Sequence, residues 1–148
     1  MRRFSKGLTA VLCVMVIILA LTGCTSSMDM VGLWAEDTVE VTLDTSEGLM
    51  LRSESFNVME DGDSILRGMV TNVDVCETDK NMLEADDMAE FIEEGSANGI
   101  TWILYNIDDT ECHFIVWIDG SDTGMILTSG EDPDTAKKAF DSLTFSVK

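Results

Sequence analysis

The sequence predicts an α+β domain built on an antiparallel β-sheet with helices packed on it. Three observations carry that prediction. Apolar and polar residues alternate along Val39, Val41 and Leu43, the period of a half-buried strand. Asp61-Gly62 separates two apolar, β-branched runs, and this pair suits the positive-φ corner of a hairpin. The hydrophobic period lengthens in two places, around Glu84 to Ala97 and again after Asp132-Pro133, as it does where strands give way to helices.

Taken from the amino terminus, residues 1–23 read as an export signal: a cationic start (Arg2, Arg3, Lys6), an apolar run from Leu8 to Leu21, then Leu21-Thr22-Gly23-Cys24. The run is short for a membrane span. The four-residue box ends on a cysteine whose thiol takes a diacylglyceryl group, so the expected mature chain begins at lipidated Cys24. Each buried methylene contributes about 0.8 kcal/mol, and several chains on one cysteine anchor a small domain where one chain binds only marginally. Thr25 stands where an aspartate is the usual inner-membrane retention cue of a Gram-negative cell. The expected location is the extracytoplasmic face of the cell membrane, or the outer membrane in a Gram-negative host. Residues 24–33 read as a lipidated tether of mixed polarity, and residues 34–148 as one α+β domain.

Within that domain, Thr38 to Leu43 is the first strand and Ser46-Glu47-Gly48 a turn. Leu49 to Met59 and Ser64 to Val75 are the next two extended stretches, joined through Glu60-Asp61-Gly62-Asp63. From Glu84 to Ala97, Ala85, Met88, Phe91 and Ile92 fall on one helical face, with Asp86, Asp87, Glu90, Glu93 and Glu94 on the others. That spacing predicts an amphipathic helix ending near Gly95 or Gly99. Ile100 to Ile107, Glu111 to Ile118 and Met125 to Thr128 form a three-stranded meander, apolar on both faces and therefore central. Asp132 caps a closing helix with Pro133 at its first position, Ala136, Ala139, Phe140 and Leu143 share its apolar face, and Lys137 and Lys138 face water. A short β-like stretch, Thr144 to Val147, ends the chain.

Loss of residues 1–23 removes Arg2, Arg3 and Lys6 and leaves 125 residues, six basic against 28 acidic, a formal charge of −22. Such a charge opposes nucleic acid, whose phosphates require Lys and Arg. It favours a cationic ligand or a basic envelope protein, and equally it serves as a solvated surface that keeps a tethered domain soluble. Cys13 leaves with the signal, so Cys76 and Cys112 are the one possible disulfide pair. A bridge would contribute about 3 to 5 kcal/mol, and the alternative is two buried free thiols.

This order of elements resembles the PsbP-like and Mog-type α/β/α sandwich family. The residues that carry the resemblance are Gly124-Met125-Ile126-Leu127-Thr128 and the run Ala136 to Phe145 with its closing Ser-Leu-x-Phe, which look like the family's final strand and helix, and the expected acidic helix near Met88 to Ile92 sits where such a domain would have one. The match spans most of the mature chain in pattern and its last quarter in residues. The family includes photosystem accessory subunits, a Ran-binding protein and many bacterial lipoproteins, and no binding residues carry over from it.

No catalytic set emerges. His113 adjoins Cys112, but neighbours on a strand point to opposite faces, so they do not form a thiol–base pair. No Cys-x-x-Cys spacing supports zinc, and no metal or cofactor is expected. Asp122-Thr123-Gly124 matches an aspartic protease triplet in letters, occurs once, and reads as a hairpin turn. Asp119 to Gly124 partly resembles a calcium loop, although its twelfth position is Gly130, which leaves weak surface calcium binding as an alternative, and Asp61 and Asp63 read as a solvated turn with ion binding as the alternative. Trp34, Trp102, Tyr105 and Trp117 are candidates for stacking on ligands, with core packing as their default and Trp34 a lid over the sheet edge. The expectation is a non-catalytic binding or accessory module of the envelope. The alternative is an envelope hydrolase or ligand-processing enzyme.

Overall fold

Turn chemistry sets the course of the chain, which the computed structural model describes over residues 24–52 and 54–148. The expected export signal lies outside the described residues. Ten strands and two helices follow in the order β1 Thr25–Met30, β2 Val39–Asp44, β3 Leu49–Arg52, β4 Asn57–Glu60, β5 Asp63–Asn72, α1 Val73–Ala85, β6 Ala89–Ala97, β7 Ile100–Ile107, β8 Glu111–Ile118, β9 Thr123–Ser129, α2 Pro133–Asp141 and β10 Leu143–Val147. Asp61 and Gly62 both take positive φ (51° and 89°) and join β4 to β5 as a two-residue corner. Asn98-Gly99 and Asp108-Asp109 make the same left-handed corner before β7 and before β8.

The strands form two antiparallel sheets, one in the order β1-β2-β10 and one of seven strands, β3-β4-β5-β9-β8-β7-β6. Alternation along β7 and β8 gives the large sheet two buried faces. Leu104, Phe114, Val116, Met125 and Leu127 point into the main core, which α2 and the small sheet close with Val39, Val41, Leu43, Ala136, Phe140 and Phe145. Ile103, Tyr105 and Ile115 point the other way, under Cys76 and Leu83 of α1. Phe140 anchors the main core: it stacks on Phe114 with centroids 4.6 Å apart and meets the edge of Trp102 at 5.4 Å.

Several readings of the sequence are corrected here. Residues 25–30 are not a tether: they form β1, paired with β2 from Thr25↔Asp44 to Met30↔Val39. The stretch Leu49 to Met59 is two strands rather than one, folded into the β3–β4 hairpin. The extended run ends at Asn72 instead of Val75, because the Asn72 side chain accepts a hydrogen bond from Val75 N at 2.9 Å and caps α1.

The helix expected over Glu84 to Ala97 is absent. Its place is taken by the last residues of α1, a turn in which Asp86 Oδ1 accepts from Met88 N at 2.9 Å, and β6. Helical spacing of Ala85, Met88, Phe91 and Ile92 was a coincidence of residues that end up exposed. The true helix buries Cys76 and Leu83, two turns apart, amid β-branched valines that read as strand. By contrast, the meander β7–β8–β9 and the closing helix lie as expected. Asp132 Oδ1 accepts from Thr135 N at 3.0 Å, and Pro133 opens α2. Lys137 departs from expectation, since its Nζ sits 4.7 Å from the Trp102 ring centre and pairs with Asp141.

Candidate binding surfaces

Two places on the surface combine exposed apolar side chains with clustered charge. The first is a cleft of about 290 Å³ where the segment after β1 crosses the start of α1, lined by Trp34, Glu36, Asn72, Val73, Asp74 and Asp122. Trp34 is 63% exposed, so its ring faces solvent and is not part of the core. Asn72 and Val73 reach the cleft because the α1 cap turns the chain there, and Val73 N donates to Asp122 O at 2.9 Å, which holds the β8–β9 turn beside the helix start. Ser121 Oγ donates to Asp37 Oδ2 at 2.6 Å and ties the segment after β1 to the β8–β9 turn. An aromatic face beside Glu36, Asp74 and Asp122 has the electrostatic character that suits a cation.

The second surface is the outer side of β6. Phe91 is 53% and Met88 55% exposed, with Met82 of α1 likewise exposed nearby in sequence. Glu90, Glu93 and Glu94 are exposed along the same strand. A bulge between Phe91 and Glu93 makes Ile92 the extra residue. Phe91 rests edge-on against Tyr105, centroids 6.2 Å apart, on the side of the sheet that α1 covers.

The residues singled out from the sequence are dispersed. Cys24 is exposed and immediately precedes β1, its carbonyl accepting from Thr45 N at 2.8 Å. Cys76 and Cys112 are both free and buried, and they face opposite sides of the large sheet: Cys76 beneath α1, Cys112 in the main core. The sheet separates them, so the candidate disulfide is not formed. Burial first, then the charges of Asp79 and Glu77, pushes the Cys76 thiol up to about 12. The Cys112 thiol is raised by burial first, then by Asp132 and Glu111.

His113 turns away from Cys112, as strand alternation requires, and meets Asp79 of α1 at 2.7 Å from Nε2. Its Nδ1 lies 3.5 Å from Glu111 Oε1, within ion-pair reach but too poorly aligned for a hydrogen bond. Asp122-Thr123-Gly124 runs from the β8–β9 turn into β9, with Thr123 N accepted by Ser121 Oγ at 3.0 Å. Among the described residues, no three His, Cys, Asp or Glu side chains gather as a metal site, the Asp119–Gly124 turn and the Asp61–Asp63 turn included. Trp102 and Tyr105 are buried, Trp117 is partly buried, and Trp34 alone of the four faces solvent.

The β6 surface is not apparent in the sequence, because its acids and apolar residues recur at helical spacing. The signal that separates the two readings is the pair Asn98-Gly99, a hairpin corner that needs a strand on either side. No family model, curated protein or solved structure matches the chain.

Proposed function

We propose that the chain is an exported lipoprotein, held at the extracytoplasmic face of a bacterial membrane by acyl chains on Cys24, whose mature domain binds a partner and performs no catalysis. The observation that carries the reading is the box Leu21-Thr22-Gly23-Cys24 behind a cationic and apolar leader, with its cysteine exposed one residue before the first strand. A surface of formal charge −22 on the mature chain, with exposed Trp34 and Phe91 set among carboxylates, suits a basic envelope protein or a cationic ligand. The same charge disfavours nucleic acid.

A PsbP-like sandwich is part of this proposal. Helices on opposite faces of one antiparallel sheet support it, as does the closing order β9, α2, β10. Among the described residues, no helix is long and apolar enough to cross a membrane.

Mass spectrometry of the protein from bacterial membranes tests the anchor. The expected amino-terminal peptide begins at Cys24 and carries diacylglyceryl, and Cys24→Ala abolishes both the cleavage and the added mass. A wild-type protein that retains Met1, or an unmodified Cys24 in the membrane fraction, overturns the reading.

A further inference from the structure

β6 ends the seven-strand order, and among the described residues nothing pairs with its outer side. Nine residues of edge strand leave a row of backbone N–H and C=O groups as a template for another strand. The side chains around that row state what can approach. Residues 86–99 hold five carboxylates and no Lys or Arg. Cross-strand register divides them: Glu90 and Glu93 lie opposite Asn106 and Leu104 on the main-core side, while Phe91 and Glu94 lie opposite Tyr105 and Ile103 on the α1 side.

A second copy of the chain is a poor occupant. Two β6 strands side by side would align the carboxylates of both copies along one seam, and like charges placed opposite each other destabilise a strand pair. The charge therefore works as a filter that rejects self-association and acidic strands but admits basic ones. Lysine or arginine would pair with Glu90, Glu93 and Glu94, and their aliphatic stems or neighbouring apolar residues would cover Phe91 and Ile92.

We propose that β6 is a docking edge on which a basic, extended segment of a partner protein adds as an eighth strand. This rests on reading the domain as a binding module and gives that module its site and partner chemistry. Lateral addition by a strand draws affinity from backbone bonds and selectivity from alternate side chains.

The test titrates a nine-residue peptide alternating lysine and valine into the full chain in detergent micelles at low salt. The expected result is saturable binding with slowed hydrogen exchange at the β6 amides. Replacing Glu90→Gln and Glu93→Gln together, both on the main-core side of the edge, weakens it about fivefold, the scale of two cross-strand charge pairs on one face. The same peptide methylated on alternate backbone nitrogens keeps its charge but cannot extend the ladder, and it does not bind. Equal binding by the methylated peptide, unchanged affinity in the Glu90/Glu93 double variant, protection away from β6, or no saturation by about 1 mM peptide overturns the proposal. So does concentration-dependent protection of β6 without peptide, which assigns the edge to self-pairing. Nothing in this measurement depends on Cys24, so its outcome is separate from that of the anchoring test.

Discussion

His113 on β8 and Asp79 on α1 meet at 2.7 Å, and this contact is the polar pin that holds the helix to the back of the large sheet. Both side chains are mostly covered, with 14% and 23% of their surface exposed. The other contacts under α1 are few, chiefly Cys76 and Leu83 against Ile115, Ile103 and Tyr105. Hydrogen bonds to charged groups contribute about 1.5 to 3 kcal/mol, less where water screens them. His113→Ala or Asp79→Ala should each lower unfolding stability by about 1 to 2 kcal/mol. In urea denaturation the double variant should lose less than the two singles together. Full additivity would show that the pair does not couple helix to sheet.

The two interior thiols are expected to be inert. Burial and adjacent carboxylates oppose ionisation of Cys76, whose thiol sits near 12, and of Cys112 in the same direction. The thiolate is the reactive form, so at pH 8 a soluble alkylating reagent should label neither until the protein is unfolded. Intact mass should also be the same with and without reductant. A two-dalton difference, the two hydrogens lost on forming a bridge, would contradict the separation of these residues by the sheet.

Phe140 joins Phe114, Trp102 and Phe145 in one aromatic cluster between α2 and the sheets. It is 3% exposed, so truncation leaves a cavity that the surrounding rings cannot fill. Phe140→Ala should cost about 3 to 5 kcal/mol. A loss below about 1 kcal/mol in thermal or urea unfolding would mean the cluster collapses onto the vacancy, which rigid rings disfavour.

Capping of α2 gives a pH signature. Bonds from the Thr135 side chain and then its backbone hold the Asp132 carboxyl below its ordinary value of 3.8. A depressed folded value means the carboxylate's contribution is complete above that ordinary value and is lost as pH falls through the lower, folded one. Asp132→Ala should lower the melting temperature at pH 7 and narrow its gap to the wild type below pH 3.8. Asp132→Asn, which still accepts from Thr135, should retain most of the neutral-pH stability. An equal deficit for Asp132→Ala at every pH would remove the carboxylate from the account.

Sequence reading succeeded where local and global demands agree. The strands from Ile100 to Ile118 are apolar on both faces and closed by Asp108-Asp109, and Asp132-Pro133 starts a helix whatever surrounds it. It failed between Val73 and Ala97, where the two disagree. Val73 and Val75 have strand propensity, yet tertiary cover for Cys76 and Leu83 and the Asn72 cap make them helical. Further on, acids at helical intervals belong to an edge strand whose residues have little to bury. Residues 25–30 hid for a related reason: a short edge strand of Thr, Ser, Met and Asp shows too little alternation to stand out from a linker. As for sites, the box that ends at Cys24 stands out in the sequence because its residues are contiguous. The cleft beside Trp34 was not legible, since it gathers residues from three separate segments of the chain.

The position of Cys24 has a mechanical consequence. With no slack between that cysteine and Thr25, a pull on the acyl chains proposed for Cys24 would run straight into β1 and be shared by its six residue pairs with β2. On the proposed anchor, force would reach the small sheet through β1 before it reached the seven-stranded sheet.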